Sequence, residues 1–207
     1  MKKLFLGAAI AMSSLTFAQQ FGLKGGMNVS SLSKDANLDD NKSKIGFNAG
    51  VFMNAPIAEN FSIQPEVLYN DLGSKVTRSS TVNGTTYKAD YSRNLGYISV
   101  PVMLQYNATP AFYLEAGPQF SFLVNAEDKY KSSTNGTTNN SNIVALNKDA
   151  FNGFDFGVGL GAGYYFTPNI GLTARYVAGF TDIYKNNSGD AVKNNNFQVG
   201  LAYKFGK

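Results

Sequence analysis

Few residues of this chain can move protons or hold charge inside a fold, and their phase singles them out. Glu66, Glu115 and Asp155 are carboxylates, and Lys24, Arg175 and Lys204 are cations; each lies in a stretch where apolar and polar residues alternate. Two carboxylates facing one space can serve as general acid and general base when their surroundings push their proton affinities apart. The same groups also form ion pairs in a filled interior, because buried charges need partners. The second arrangement is the one expected here: a polar network of Lys24, Glu66, Glu115, Asp155, Arg175 and Lys204, with no catalytic residue. Histidine is absent. That removes Ser-His and Cys-His catalysis, histidine metal ligation and imidazole acid-base work together.

Two motifs have the look of ligand sites and fail on detail. Gly157-Val-Gly-Leu-Gly-Ala-Gly163 has glycines in strict alternation with no helix start after it, so it is no phosphate cradle. Asp35-Ala-Asn-Leu-Asp39 matches the opening of a calcium loop, but Asp40 stands where the turn needs Gly and Gly46 where the loop needs Glu. It reads as a solvated loop, and neither a cofactor nor a metal is expected. The run Ser132-Ser-Thr-Asn-Gly-Thr-Thr-Asn-Asn-Ser-Asn142 is uncharged and low in complexity, which predicts a mobile segment. Loops on a rigid scaffold often carry recognition, so 125–153 is a candidate ligand or adhesion segment. The triplets Asn83-Gly-Thr85 and Asn135-Gly-Thr137 are given no function.

The elements that must position these residues are strands. Period-two alternation recurs near 21–31, 45–54, 61–72, 97–107, 111–124, 154–166, 170–181 and 197–205, and no helical periodicity competes with it. These lengths suit tilted strands that cross a bilayer in about 9–11 residues. One phase is bulky, as in Ile98, Val100, Val102, Leu104 and Tyr106, or Phe156, Val158, Leu160 and Tyr164. The other carries all six charges together with Asn28, Gln64, Ser99, Gln105, Gln119, Gln198 and many glycines. Links at 55–60, 108–110 and 167–169 are short and hold Pro56, Pro110 and Pro168, whereas those at 32–44, 73–96, 125–153 and 182–196 are long and polar. An up-and-down meander of eight strands puts every short link at one end and every long link at the other.

Period two does not say which phase faces out, and a soluble lipocalin-like barrel would invert it. The glycines decide, because small residues fit the crowded inner side of a narrow barrel whereas a water-facing wall would carry Lys and Glu. The bulky phase therefore reads as a lipid-facing band. Pro65, Pro101 and Pro118 lie inside strands, and since each lacks a donor, bulges or kinks are expected there.

The first residues have a separate logic. Lys2 and Lys3 precede the apolar run Leu4–Met12 and then Thr16-Phe17-Ala18, the layout of a secretory signal peptide cleaved before Gln19. Residues 1–18 are thus set apart from a barrel domain over 19–207. Without those two lysines the 18 basic residues fall to 16 against 14 acidic, too even a balance for nucleic-acid binding. Cysteine is absent, so an exported fold must hold without disulfides. Charged residues are only 15% of the chain, against roughly 25% in soluble domains, so something other than water covers much of the surface.

Four stretches then carry a resemblance: Phe21-Gly-Leu-Lys-Gly-Gly-Met-Asn28, Phe61-Ser-Ile-Gln-Pro-Glu-Val-Leu-Tyr69, Tyr97-Ile-Ser-Val-Pro-Val-Met-Leu-Gln-Tyr106 and Glu115-Ala-Gly-Pro-Gln-Phe120. Together they resemble the PorT-like outer-membrane β-barrel family, often labelled porin family, across essentially the whole mature chain. Tyr203-Lys-Phe205 is similar to the aromatic end that the barrel-assembly machinery reads, although Gly206 and Lys207 follow it. The resemblance implies an integral outer-membrane location in a Gram-negative envelope, with outer-membrane lipid and that machinery as partners. It implies no shared reaction. The expected role is a non-enzymatic one, in envelope structure or in surface interaction through the long links with an unnamed extracellular ligand. The alternatives are a narrow pore for ions or small solutes, and an accessory part of a secretion or surface-assembly complex.

Overall fold

The computed structural model describes residues 19–33, 42–185 and 189–206. The expected signal peptide over 1–18 and the Asp35–Asp39 motif lie outside the described residues. Nine strands account for nearly all of the rest: β1 (Gln20–Leu32), β2 (Lys42–Ala58), β3 (Phe61–Val82), β4 (Thr85–Asn107), β5 (Phe112–Thr134), β6 (Thr137–Ala145), β7 (Phe154–Tyr165), β8 (Ile170–Gly179) and β9 (Asn194–Lys204). Eight of them close an antiparallel ring in the order β1-β2-β3-β4-β5-β7-β8-β9. The seam is β1 on β9, from Gly22 opposite Lys204 to Leu32 opposite Asn194. β6 pairs only with β5 and stands outside the ring.

The alternation seen in the sequence becomes an inside-out barrel. Leu160 is 68% exposed on the outer wall, while Arg175, on the adjacent strand, is 2% exposed in the interior. Phe21, Leu23, Val51, Leu114, Leu172, Tyr176, Phe197 and Leu201 share the outer face with Leu160. An exposed apolar belt of that extent is stable only against hydrocarbon. On the inside, glycine makes room for large side chains: a Cβ on Gly163 would sit 2.3 Å from the Tyr113 ring, and one on Gly159 2.4 Å from the end of Met103.

Two of the expected long links are not loops. β3 and β4 run on beyond the ring and turn at Asn83-Gly84, and β5 turns into β6 at Asn135-Gly136, with φ of 48° at both asparagines and 76° and 85° at the glycines. Positive φ at both central residues marks the tight hairpin turn whose twist matches that of the strands. The Asn135 side chain accepts from the Thr86 N–H at 2.8 Å, and the Asn135 N–H donates to the Thr86 carbonyl at 2.9 Å, tying one hairpin to the other. The result is a four-stranded sheet of outer β3, β4, β5 and β6. The expectation of a mobile 132–142 is thereby corrected. Its polar composition belongs to strands with water on both faces, and the Asn-Gly pairs are their turns.

Two further expectations change. The short link expected at 55–60 shrinks to Glu59-Asn60, and Pro56 lies within β2 at a register shift. Pro65, Pro101 and Pro118 cause no bulge: register is the same from Pro65–Val102 to Leu68–Ser99 and from Pro101–Gln119 to Leu104–Ala116, and Pro118 stays opposite Val158. A missing donor removes a ladder bond but inserts no residue, so the strands pass with a gap in pairing. Besides the shift at Pro56, the register changes between Ser43 and Asn48, near Gly96/Tyr97, close to where β4 and β5 leave the ring, and at Ser132/Ser133.

Buried apolar residues gather at the long-link end. Leu32, Leu72, Leu95, Tyr97, Ala126, Phe151, Ile183 and Val192 form one cluster across the mouth. The segments that bring Phe151 and Ile183 there are held by backbone bonds from Asn152 N–H to the Ile183 carbonyl and from Ile183 N–H to the Val192 carbonyl, both 2.9 Å.

Candidate functional site

Four charges from four alternate strands meet inside the barrel. Lys24 comes from β1, Glu66 from β3, Glu115 from β5 and Arg175 from β8, so in the ring of eight β3 faces β8 and β1 faces β5. Inward phase turns all four toward the interior, and their direct bonds show that they meet at one level. The Arg175 guanidinium donates to both Glu66 oxygens, at 2.9 and 2.7 Å, and through Nε to Glu115 at 2.7 Å. Lys24 Nζ donates to Glu66 Oε1 at 2.9 Å, as does Gln64 Nε2 at 2.8 Å. Gln105 Nε2 donates to Glu115 Oε2 at 3.1 Å and is itself oriented by Asn54 at 2.7 Å. Two cations balance two carboxylates, and every carboxylate oxygen has a donor. Each acid is thus neutralised and oriented by neighbours on other strands, and the arrangement is that of a structural brace.

A neutral layer follows toward the long-link end. Asn48 donates to Asn28 at 2.7 Å, Asn28 and Gln198 donate to Asn70 at 3.3 and 3.1 Å, Asn70 donates to Ser99 at 2.9 Å, and the Ser99 and Ser121 hydroxyls meet at 2.8 Å. With the apolar cluster above it, the interior is filled at three successive levels.

The two remaining charges expected in the network lie elsewhere. Asp155 sits nearer the mouth, where it accepts from Asn194 at 3.3 Å, and the same Asn194 amide donates to the Tyr97 hydroxyl. Lys204 is near the short-turn end with its ammonium 3.9 Å from the Tyr165 ring centre. Both share the inward phase but not the level, since phase fixes the face of a strand and not the height on it. Tyr203 and Phe205, expected as an assembly signal, are exposed on the outer wall with ring centres 5.9 Å apart.

Sequence reading missed the polar contacts outside the ring. Arg93 donates to Asp128 through two nitrogens, at 2.9 and 2.7 Å, and to the Tyr184 hydroxyl at 2.7 Å, while its guanidinium lies over the Phe151 ring at 5.8 Å. Its bonds with Asp128 hold Arg93 firmly charged, above the ordinary arginine range. On the opposite face of the sheet Asp90 accepts from the Thr77 hydroxyl at 2.7 Å and lies near Lys75 and Lys88; the Thr77 bond foremost holds its carboxyl below the usual range. Glu127 is held low in the same way by Lys129 and Asn94. The signal that could have located these pairs is Asn-Gly between Thr- and Ser-rich flanks, which fixes hairpin register.

Comparison with known proteins agrees with this architecture. No curated protein matches the chain. Among solved structures, Ail, the attachment invasion locus protein of Yersinia pestis, in complex with the heparin analogue sucrose octasulfate, is 17% identical, with 91% of this chain and 100% of that one covered and a TM-score of 0.48. Neisserial surface protein A is 17% identical over 89% and 97%, with a TM-score of 0.47, and OprG of Pseudomonas aeruginosa 12% over 92% and 97%, with a TM-score of 0.37. Likeness at that level carries no argument about role. The family model for the outer membrane protein beta-barrel domain, by contrast, matches residues 17–185, from before β1 to beyond β8. A match of that length decides membership: the chain belongs to the outer membrane protein beta-barrel domain family, and the bilayer around its apolar wall is the outer membrane.

Proposed function

We propose that this barrel is a non-enzymatic outer-membrane protein that presents a recognition surface outside the cell. The observation that carries the reading is the four-stranded sheet. β3, β4 and β5 continue past the ring as paired strands, where a barrel with only an envelope-filling role needs no more than short connections. From Leu72 to Val82 the strand rises about 33 Å at roughly 3.3 Å per residue. Outer-membrane barrels keep short turns in the periplasm and long connections outside, which puts this sheet on the exterior. A filled interior counts against the narrow-pore alternative, because eight strands leave a lumen only wide enough for side chains. Export would follow from residues 1–18. Partners on this reading are the surrounding lipid and, during biogenesis, the assembly machinery acting on Tyr203 and Phe205. The PorT-like resemblance adds an accessory role in a surface-assembly complex as a finer variant of the same reading.

The test is to shorten both outer hairpins to tight turns, removing Thr77–Asp90 and Lys129–Ile143. The variant should still shift between folded and unfolded bands on a detergent gel, while adhesion of expressing cells to mucin- and polysaccharide-coated surfaces falls. Unchanged adhesion, or parent-protein conductance in a planar bilayer well above background, would replace this reading with the envelope-structural or pore one.

A further inference from the structure

The outer sheet has two faces, and only one is shaped to hold something. The face carrying Lys75, Lys88, Asp90, Glu127 and Lys129 is covered by internal ion pairs. The other continues the inner wall of the barrel and carries a groove of 380 Å³. Register lays out its floor: Arg78 stands opposite Ala89, and Ala89 opposite Ser132. Two positions further along β4 toward the turn is Tyr87, opposite Ser80 and Thr134. On the other side Tyr130 stands opposite Tyr91, with ring centres 4.8 Å apart. The small side chains of Ala89 and Ser132 thus form a trough between one tyrosine and a tyrosine pair. Tyr87 and Tyr91 are about 13 Å apart along the strand at roughly 3.3 Å per residue.

The chemistry of the rim narrows the occupant. Among the described residues Arg78 makes no ion pair, unlike Lys75 and Lys88 nearby, so one planar guanidinium fork is open at the end of the trough. Ser80, Ser132, Thr134 and Asn139 add hydroxyl and amide groups, and Asn139 is held by a 2.6 Å bond to Thr134. Tyrosine rings offer rigid, amphipathic contact area at low entropic cost. A single arginine favours a planar carboxylate in two-point contact, whereas a polyanion calls for several cations. Aromatic walls, a hydroxyl and amide rim and one fork together match a sugar ring that carries a carboxylate.

We propose that this groove binds a carboxylated saccharide, its ring face against Tyr87 and Tyr130 and its carboxylate on Arg78. This deepens the surface-recognition reading and rests on it.

The test uses the mature full-length protein in nanodiscs, titrated by calorimetry with trigalacturonic acid, sialyllactose and, as the neutral control, lactose. At least one carboxylated probe should bind about tenfold more tightly than lactose, the worth of one charge-assisted contact. Arg78→Gln should remove that difference, Arg78→Lys should restore part of it, and Tyr87→Ala should weaken all sugars alike. Lys131→Gln, on the opposite face, should change nothing. Tighter binding of detergent-dispersed lipopolysaccharide than of free oligosaccharides would support the same chemistry and assign its source to the cell's own surface. The proposal is overturned if carboxylated probes bind no better than lactose, or if Lys131→Gln costs as much as Arg78→Gln. Loss of adhesion on trimming both hairpins, with no saccharide binding by the parent, would leave surface recognition standing and this ligand class excluded.

Discussion

Arg175 and Glu66 reach each other across the full width of the barrel, from strands that face each other in the ring, and meet through two bonds of 2.7 and 2.9 Å. The bridge holds opposite walls at a fixed separation. Arg175→Ala would leave Glu66 and Glu115 buried with Lys24 as their only cation. The expected cost is about 3–5 kcal/mol, that of breaking a buried pair by removing one partner. Urea unfolding in lipid vesicles measures it. The quadruple variant Lys24→Met, Arg175→Met, Glu66→Gln, Glu115→Gln, which leaves none of the four charges behind, should recover most of the loss, because the cost lies in the stranded charges.

Exposure alone does not say which apolar residues meet lipid. Leu160 and Ile143 are 68% and 63% exposed, but Leu160 is on the wall of the ring and Ile143 on β6 beyond it. Leu160→Arg should cost about 2–4 kcal/mol. Ile143→Arg should change stability by less than about 0.5 kcal/mol, as at an ordinary water-facing site. Equal costs would place the bilayer boundary wrongly.

The outer sheet should loosen in acid. Asp90 has a folded-state affinity for protons lowered by Thr77, Lys75 and Lys88, so its contribution is present above the unfolded carboxylate range of about pH 4 and is lost as pH falls through the lower folded value. Glu127 acts in the same direction. Amide exchange in 75–92 should therefore quicken between about pH 4 and pH 2, while the ring stays protected. Asp90→Asn should flatten that response, with a stability change under about 1 kcal/mol for pairs this exposed.

Gly136 has a φ of 85° in the β5–β6 turn, with nothing near the position of a Cβ. Gly136→Ala should cost about 1 kcal/mol from backbone strain alone. Limited proteolysis should then cut between 132 and 142, and the folded gel band of the remaining barrel should persist.

Legibility from sequence divides along a physical line. The ring was readable because a strand between hydrocarbon and a packed interior must alternate, so Phe197, Val199 and Leu201 announce their face without any tertiary information. The meeting of Lys24, Glu66, Glu115 and Arg175 was half readable. Phase gave the common interior, but level depends on strand tilt and register, and Asp155 and Lys204 share the phase while lying at other heights. β6 was not readable by the same rule, since Thr137–Ala145 has water on both sides and no alternation to show. The Asn-Gly turns were the surviving clue.

The apolar cluster at the mouth also bears on the order of folding. Leu32 ends β1, whereas Ile183 and Val192 lie just before β9, and β1 itself finds its second neighbour only in β9. Contacts between such distant parts of a chain form late, because loop closure must precede them. The cluster can therefore assemble only once the last strand has docked, and burial of Phe151 would report that the ring has shut. A chain stalled before β9 would leave that cluster incomplete, exposing apolar surface outside the bilayer, where quality-control proteases can find it.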